Sequence, residues 1–406
     1  MYIDRHIEKI ILEASHKYPV IMVCGQRQVG KSTMLYHIKD EKRAYISLDD
    51  VNARRLADND PALFFETYGL PILIDEIQRC PGLLIEIKRI VDMKLLKGED
   101  VNGTIWLTGS QKFPMMKGVS ESLAGRIAVF DMSGLTASES EKREFALFDP
   151  DIDKLKKRSC KKPDIHRVFN TIFTGSMPKV LSGDADRDRY YMDYVNTYLE
   201  RDIKDLSQVG KPDSFYDFLV CMAGRTSQAL VYEDVAKTVG VSSPTVRQWV
   251  SILERSGVIF VLRPYHNNIN KRLVKTPKVY FMDTGLAAWL CRWPDALTLE
   301  NGAMRGAFFE TFVVSEIVKN RFNAGMMPDL YYYRDVDKRE IDLLIIMGNK
   351  AYPVEIKVNK QPDRPDRYFK ALKNTGVSQE TGLCICLSDE LLPYSRDCWL
   401  CPVTML

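Results

Sequence analysis

Gly25-Gln-Arg-Gln28-Val29-Gly30-Lys31-Ser32-Thr33 follows an apolar run from Pro19 to Cys24 and opens a segment with helical spacing. Glycines here let backbone N–H groups approach phosphate oxygens with no Cβ in the way, and the helix N-terminus adds partial positive charge. Lys31 can then reach the β- and γ-phosphates of a nucleotide, and the Ser32 hydroxyl can ligate Mg²⁺. The stretch reads as a phosphate-binding loop, with Gly25, Gln28, Val29, Gly30, Lys31, Ser32 and Thr33 as nucleotide contacts. A second apolar run, Leu70-Pro-Ile-Leu-Ile, delivers Asp75 and Glu76 at its C-terminal end. This is the Walker B arrangement: Asp75 shares the Mg²⁺ with Ser32, and Glu76 orients and deprotonates the attacking water. A third run, Gly103 to Gly109, ends at Ser110 and Gln111; Ser110 is the first candidate for a polar group that senses the γ-phosphate, and Gln111 the second. Arg126, at a helix-to-strand junction, could stabilise charge on the transferred phosphoryl group, in cis or from a neighbouring subunit, or could serve only a surface salt bridge.

A separate constellation lies near the C-terminal end. Glu310 shares a helical stripe with Val313, Val314 and Ile317, a costly position for a carboxylate without a partner. Arg339-Glu-Ile-Asp342 starts an alternating strand that turns at Gly348-Asn349 and returns through Glu355-Ile-Lys357. Strand period puts Glu355 and Lys357 on one face, with Asp342 opposite them. Two carboxylates and a lysine in that arrangement could hold one or two Mg²⁺ ions for phosphodiester cleavage, although exposed faces of antiparallel pairs commonly carry such charges.

The elements that position these groups follow from punctuation and period. Ile3, Ile7, Ile10 and Ile11 predict an amphipathic helix before the first strand, and Ala44 to Asp50 and Ile127 to Met132 read as further strands. Thr136-Ala-Ser-Glu139 is a capping box. The basic run Lys154 to Lys162, with Pro163 behind it, is a solvated linker or a phosphate-backbone contact. Residues 164–214 read as helical, their aromatic residues as core. From Phe215 the pattern is helix-turn-helix with a wing. Val231 to Val239 forms one helix, Gly240-Val241 turns, and Ser243-Pro244 caps a second helix that buries Val246, Trp249, Val250 and Leu253. Thr245, Arg247 and Gln248 would face a DNA groove, with Lys271 and Arg272 at the wing tip; such modules also dock proteins.

A chain of 406 residues exceeds what a single core usually holds, so several domains are expected. No run reaches the roughly 18 apolar residues of a membrane span, the first residues do not resemble a signal peptide, and the nine cysteines do not form a disulfide framework, so a cytoplasmic location is expected. Cys384, Cys386, Cys398 and Cys401 could ligate zinc, but the first pair reads as a buried strand. The net charge of +3 is too small to identify a polyanionic partner, so any nucleic-acid argument rests on local patches.

Together these residues resemble a prokaryotic family of AAA-superfamily ATPases whose C-terminal domain of unknown function looks like a restriction endonuclease of the PD-(D/E)xK type. The resemblance runs through Gly25 to Ser32, Leu73 to Gln78, Leu107 to Ser110, Leu123 to Arg126, Tyr198 to Ile203, Gly306 to Glu310, Tyr333-Arg334, Glu340 to Asp342 and Val354 to Lys357. It departs from the nuclease pattern before Asp342, where Ile341 replaces the usual proline. It implies an α/β multidomain chain: a P-loop AAA-type ATPase at residues 1–145, a helical connector at 146–214, a winged helix at 215–295 and a PD-(D/E)xK nuclease-like domain at 296–406. It also implies ATP rather than GTP. The expected function is a Mg²⁺-dependent ATP-hydrolysing switch on DNA; the alternative is a signalling or scaffold ATPase that binds protein partners, or itself, with an inactive nuclease-like site. No second-sensor arginine is evident beyond the fifth strand, which points to a slowly cycling switch.

Overall fold

Alternation along β1 (Val20–Gly25) sends Val20, Met22 and Cys24 into one apolar cluster and Ile21 and Val23 into another. A strand buried on both faces belongs in the middle of a parallel sheet. The computed structural model describes residues 2–109, 123–199, 212–266, 276–335 and 337–406. Among them, β1 joins β2 (Ala44–Ser47), β3 (Ile72–Asp75), β4 (Ile105–Gly109) and β5 (Ile127–Met132) in a parallel sheet of order β2-β3-β4-β1-β5. Helices α1 (Glu8–Ser15), α2 (Lys31–Ile38), α3 (Val51–Asn59), α4 (Pro61–Tyr68) and α5 (Leu83–Leu96) flank it. The β4 strand lies between β1 and β3, so the phosphate loop, the Asp75-Glu76 pair and the end of β4 meet at one sheet edge, where open α/β sheets bind ligands.

The chain continues through α6 (Ala137–Ser140), α7 (Ile152–Leu155), α8 (Ile165–Thr174), α9 (Pro178–Leu181) and α10 (Arg187–Tyr194). The capping box at Thr136 and Glu139 is formed as expected. The lysines of the basic run are exposed, while its Arg158 is half-buried and donates to the Met405 and Leu147 carbonyls; Lys154 pairs with Asp149. Then come α11 (Pro212–Ala223), α12 (Tyr232–Val239) and α13 (Ser243–Arg255), followed by an antiparallel pair, β6 (Ile259–Leu262) and β7 (Lys278–Phe281). The α12–α13 turn is closed by Gly240 in the left-handed region. The cap of α13 is Ser242, whose Oγ accepts from Thr245 N–H, and Pro244 stands at the second helical position; the expected start at Ser243 is one residue late.

After α14 (Thr284–Leu290) and α15 (Ala296–Asn301) comes α16 (Arg305–Asn323), buried on almost every side. Its apolar face joins the large core, and it packs against β5 of the first sheet and against Lys350–Ile356, a strand of the last. Its polar residues bond residues 135–148: Glu316 accepts from Ala137 N–H, Lys319 donates to the Leu135 carbonyl, and Asn320 holds Phe148 and Ala146. The final sheet has the order β13-β14-β12-β10-β9-β8, with β11 (Ser378–Gln379) alongside β10. Its other strands are β8 (Leu330–Arg334), β9 (Glu340–Met347), β10 (Lys350–Ile356), β12 (Gly382–Cys386), β13 (Leu392–Ser395) and β14 (Cys398–Pro402). The expected Gly348-Asn349 turn joins β9 to β10, with Gly348 at φ 62°. The four cysteines of β12 and β14 are free thiols in the sheet core. Among the described residues, no helix is long and apolar enough to cross a membrane.

Candidate functional site

Two glycines shape the loop after β1. At Gly25, φ is 142°, and a Cβ would stand 1.9 Å from the Met132 carbonyl oxygen of β5. At Gly30, φ is 91° and the space around the Cα is open, so the backbone itself is the requirement. Lys31 follows as the first residue of α2, and its ammonium donates to the Gly25 and Gln26 carbonyls at 3.0 and 2.8 Å. Burial lowers its pKa, an effect partly opposed by the Glu76 and Asp75 charges. A phosphate arriving here meets a poorly hydrated ammonium that can exchange two carbonyls for phosphate oxygens.

Ser32 Oγ donates to Asp75 Oδ1 at 2.6 Å, Tyr45 donates to Asp75 Oδ2 at 3.0 Å, and Thr108 donates to Asp75 Oδ1. Glu76 occupies the left-handed region at φ 58°, its N–H donates to Thr108 Oγ1 at 3.1 Å, and its carboxylate accepts from Gln78. A non-glycine residue at positive φ is held by its surroundings; here the Thr108 bond aims Glu76 away from the strand line. Gln28 also has positive φ, 62°.

Gln28, Val29, Gly30, Lys31, Ser32, Thr33 and Glu76 line one cavity of about 610 Å³. Tyr2, Ile3 and Leu135 add apolar wall, and Lys179 and Ser182, at and just beyond α9, stand across from the loop. Lys179 brings a cation from α9 where the sequence shows no second-sensor arginine; its signal was faint, a lysine after a proline in a short helix. Thr108 was also missed, because a threonine in a buried strand reads as core, and so was Arg5. The Arg5 guanidinium donates to the Val29 carbonyl at 2.8 Å and the Ser133 carbonyl at 2.7 Å, and pairs with Glu139 at 3.1 Å. Gln26 carries the loop outward: its Nε2 donates to Tyr194 OH at 2.9 Å, and Gly257, after α13, lies against its backbone.

Arg126 stands elsewhere. Its carbonyl accepts from Val20 N–H at the start of β1, so it lies at the opposite sheet edge from Gly25, five residues or roughly 17 Å away. Its side chain pairs with Asp92 of α5 at 2.5 Å. It does not reach the cavity of its own subunit, which removes the cis alternative; its position before β5 already carried that signal. Ser110, Gln111, Lys271 and Arg272 lie outside the described residues. On α13, Arg247 and Gln248 are exposed and Thr245 is half-buried, but Arg247 lies over the Tyr232 ring and 3.4 Å from Glu233.

The C-terminal constellation assembles. The β9–β10 register brings Asp342 opposite Glu355, and Lys357 stands 3.1 Å from Asp342 and 2.7 Å from Glu355. Burial, then the Asp342 charge, pushes the Glu355 carboxyl up to about 9, and the same two causes raise Glu310 to about 7. Asp342 stays below the usual range despite burial, because Lys357, Lys278 and the Ile356 N–H favour its charge. Glu310 accepts from Tyr280 at 2.7 Å and pairs with Lys278 at 3.3 Å. The expected Mg²⁺ site does not fit this arrangement: lysines hold the carboxylates, and among the described residues no three His, Cys, Asp or Glu side chains are grouped to hold a metal ion.

Thr108 offers a direct check. Thr108→Val keeps the strand and removes the hydroxyl bonded to Asp75 and to Glu76 N–H. We expect ATP turnover to fall about thirtyfold with little change in fold, since each of the two bonds carries about 1 kcal/mol; steady-state kinetics and circular dichroism check it.

Comparison with known proteins gives three matched segments. Residues 165–297 and 305–406 match two domains of unknown function, DUF8612 and DUF4143. The uncharacterized protein Rv2008c of Mycobacterium tuberculosis is 28% identical over 354 residues, 86% of this chain and 72% of that protein. The uncharacterized protein MJ1637 of Methanocaldococcus jannaschii is 25% identical over 319 residues, 69% of this chain and 63% of its own. Among solved structures, a RuvB variant of Thermotoga maritima is 14% identical with a TM-score of 0.31, covering 63% of this chain and 88% of its own. Protein VC1899 of Vibrio cholerae is 11% identical with a TM-score of 0.18, covering 91% and 89%. The third segment, residues 17–141, matches the AAA domain family and spans the phosphate loop, Asp75 and Glu76, so this chain carries an AAA-type ATPase domain.

Proposed function

We propose that this chain is a Mg²⁺-dependent ATP-hydrolysing switch that acts on DNA through a winged helix at residues 215–295 and a nuclease-like domain at residues 296–406. The observation that carries the ATPase part is the convergence of Lys31, Ser32 and Glu76 on one cavity, with Asp75 bonded to Ser32 behind them. Ser32 and Asp75 offer hard oxygen donors side by side and would hold Mg²⁺, which when bound neutralises charge on the β- and γ-phosphate oxygens. Lys31 turns from the Gly25 and Gln26 carbonyls to those oxygens. Glu76 takes a proton from the attacking water, the new O–P bond forms at the γ-phosphorus, and the bond to the β-phosphate oxygen breaks to leave ADP. Release of the Gln26 carbonyl by Lys31 would be felt at Tyr194 and Gly257, the route by which nucleotide state reaches α10 and the α13–β6 turn.

The DNA part rests on the exposed Arg247 and Gln248 of α13, with half-buried Thr245 beside them. The pairing of Arg247 with Glu233 and Tyr232 favours a second reading, a scaffold whose α12–α13 face binds protein, because a cation already engaged contributes less to phosphate contact. ATP hydrolysis measured with and without duplex DNA, beside an electrophoretic shift at low salt, separates the two. Stimulation and a shift support action on DNA; neither, with basal hydrolysis intact, leaves the scaffold reading.

A further inference from the structure

The C-terminal carboxylates face a cation that another part of the chain supplies. Lys278 begins β7, which pairs with β6 rather than with the C-terminal sheet, and it is 5% exposed. Its ammonium stands 2.7 Å from Glu340 on β9 and 3.3 Å from Glu310 on α16, above the Tyr332 ring at 5.6 Å. Tyr280, two residues on and on the same face of β7, donates to Glu310 at 2.7 Å. Beside them Lys357 spans Asp342 and Glu355. Four carboxylates from three elements are therefore met by two ammonium groups and a phenol.

A buried ammonium is costly unless carboxylates surround it, and carboxylates this close to one another need a positive charge among them. A divalent ion could supply that charge, but a hard cation needs several free oxygen ligands at short range, and Glu310 and Glu340 already point at Lys278. We infer that Lys278 is the resident cation of this cluster, occupying by charge the place a divalent ion would take, so that the folded chain binds no metal there and β7 is tied electrostatically to the C-terminal sheet. The inference does not depend on the nucleotide site. It predicts a cryptic site: with the ammonium removed, a divalent cation takes its place between Glu310 and Glu340, which already converge on that point, and draws in the neighbouring Asp342 as a third ligand.

The test uses the full chain without nucleotide, with Mn²⁺ as probe and free Mn²⁺ read by electron paramagnetic resonance. In the parent, Asp342→Asn should leave Mn²⁺ binding unchanged. Lys278→Met should gain one bound Mn²⁺ per chain that the parent lacks, and the added Asp342→Asn should abolish that gain. Lys278→Arg, which keeps the charge, should behave as the parent. A parent that already binds Mn²⁺ in a manner lost with Asp342→Asn would overturn the inference, as would a folded Lys278→Met that gains none. Should Lys278→Met not fold, Lys278→Gln is read by thermal melting: Mn²⁺ raises its melting temperature if the lysine stands in for metal, and no rise sinks the idea.

Discussion

Glu76→Gln is expected to bind ATP close to parental affinity and to hydrolyse it about 10²–10⁴-fold more slowly, the range for losing a general base. The amide is isosteric, still accepts the bond from Gln78, and leaves Ser32, Asp75 and Thr108 untouched, so the nucleotide should remain trapped. Lys31→Ala should differ in kind, because it removes the ammonium now held by the Gly25 and Gln26 carbonyls and with it the affinity for the γ-phosphate. Equilibrium binding of a fluorescent ATP analogue, set beside single-turnover hydrolysis, distinguishes the two variants. Hydrolysis near the parental rate in Glu76→Gln would remove that residue from the role of base. The mutant also gives a means to hold the ATP state while the contacts of Gln26 with Tyr194 and Gly257 are probed by hydrogen exchange.

What was legible in the sequence is what folding keeps local. The phosphate loop puts its glycines, Lys31 and Ser32 within eight residues, and strand geometry plus a helix start dictates their arrangement. The β9–β10 hairpin was legible for a related reason: period two and a Gly348-Asn349 turn set a register in which Asp342 must face Glu355. The start of α13 came out one residue late because Ser242 and Ser243 are equally good caps, and only backbone angles choose between them. Lys278 could not be found this way. Its partners Glu310 and Glu340 lie 32 and 62 positions further on in other elements, and in the sequence it is an ordinary lysine opening an apolar strand. Thr108 hides for the opposite reason: a β-branched residue in a buried strand fits the core so well that its hydroxyl attracts no notice.

Arg5→Ala should destabilise the folded chain by about 3–5 kcal/mol, the cost of leaving one member of a buried ion pair alone. Arg5 and Glu139 are 5% and 1% exposed, and the guanidinium also satisfies the Val29, Ser133 and Gly134 carbonyls. Val29 belongs to the phosphate loop, so the substitution should weaken ATP binding as well as stability, although Arg5 touches no phosphate. The pH dependence separates this pair from generic packing. Burial pulls the Glu139 carboxyl upward, but Arg5 and the Thr136 and His6 N–H groups outweigh it and hold the group below the usual carboxylate range. A carboxyl with a depressed folded pKa contributes stability that is present above its unfolded value of about 4.3 and is lost as pH falls through the lower folded value. The gap between parent and Arg5→Ala should accordingly be widest near neutrality and narrow below about pH 4, where the protonated Glu139 no longer needs the guanidinium. Urea midpoints across that range measure it. A gap that stays constant with pH would assign the loss to packing of the arginine stem, and a double variant, Arg5→Met with Glu139→Gln, should recover part of the loss only if charge is the cause.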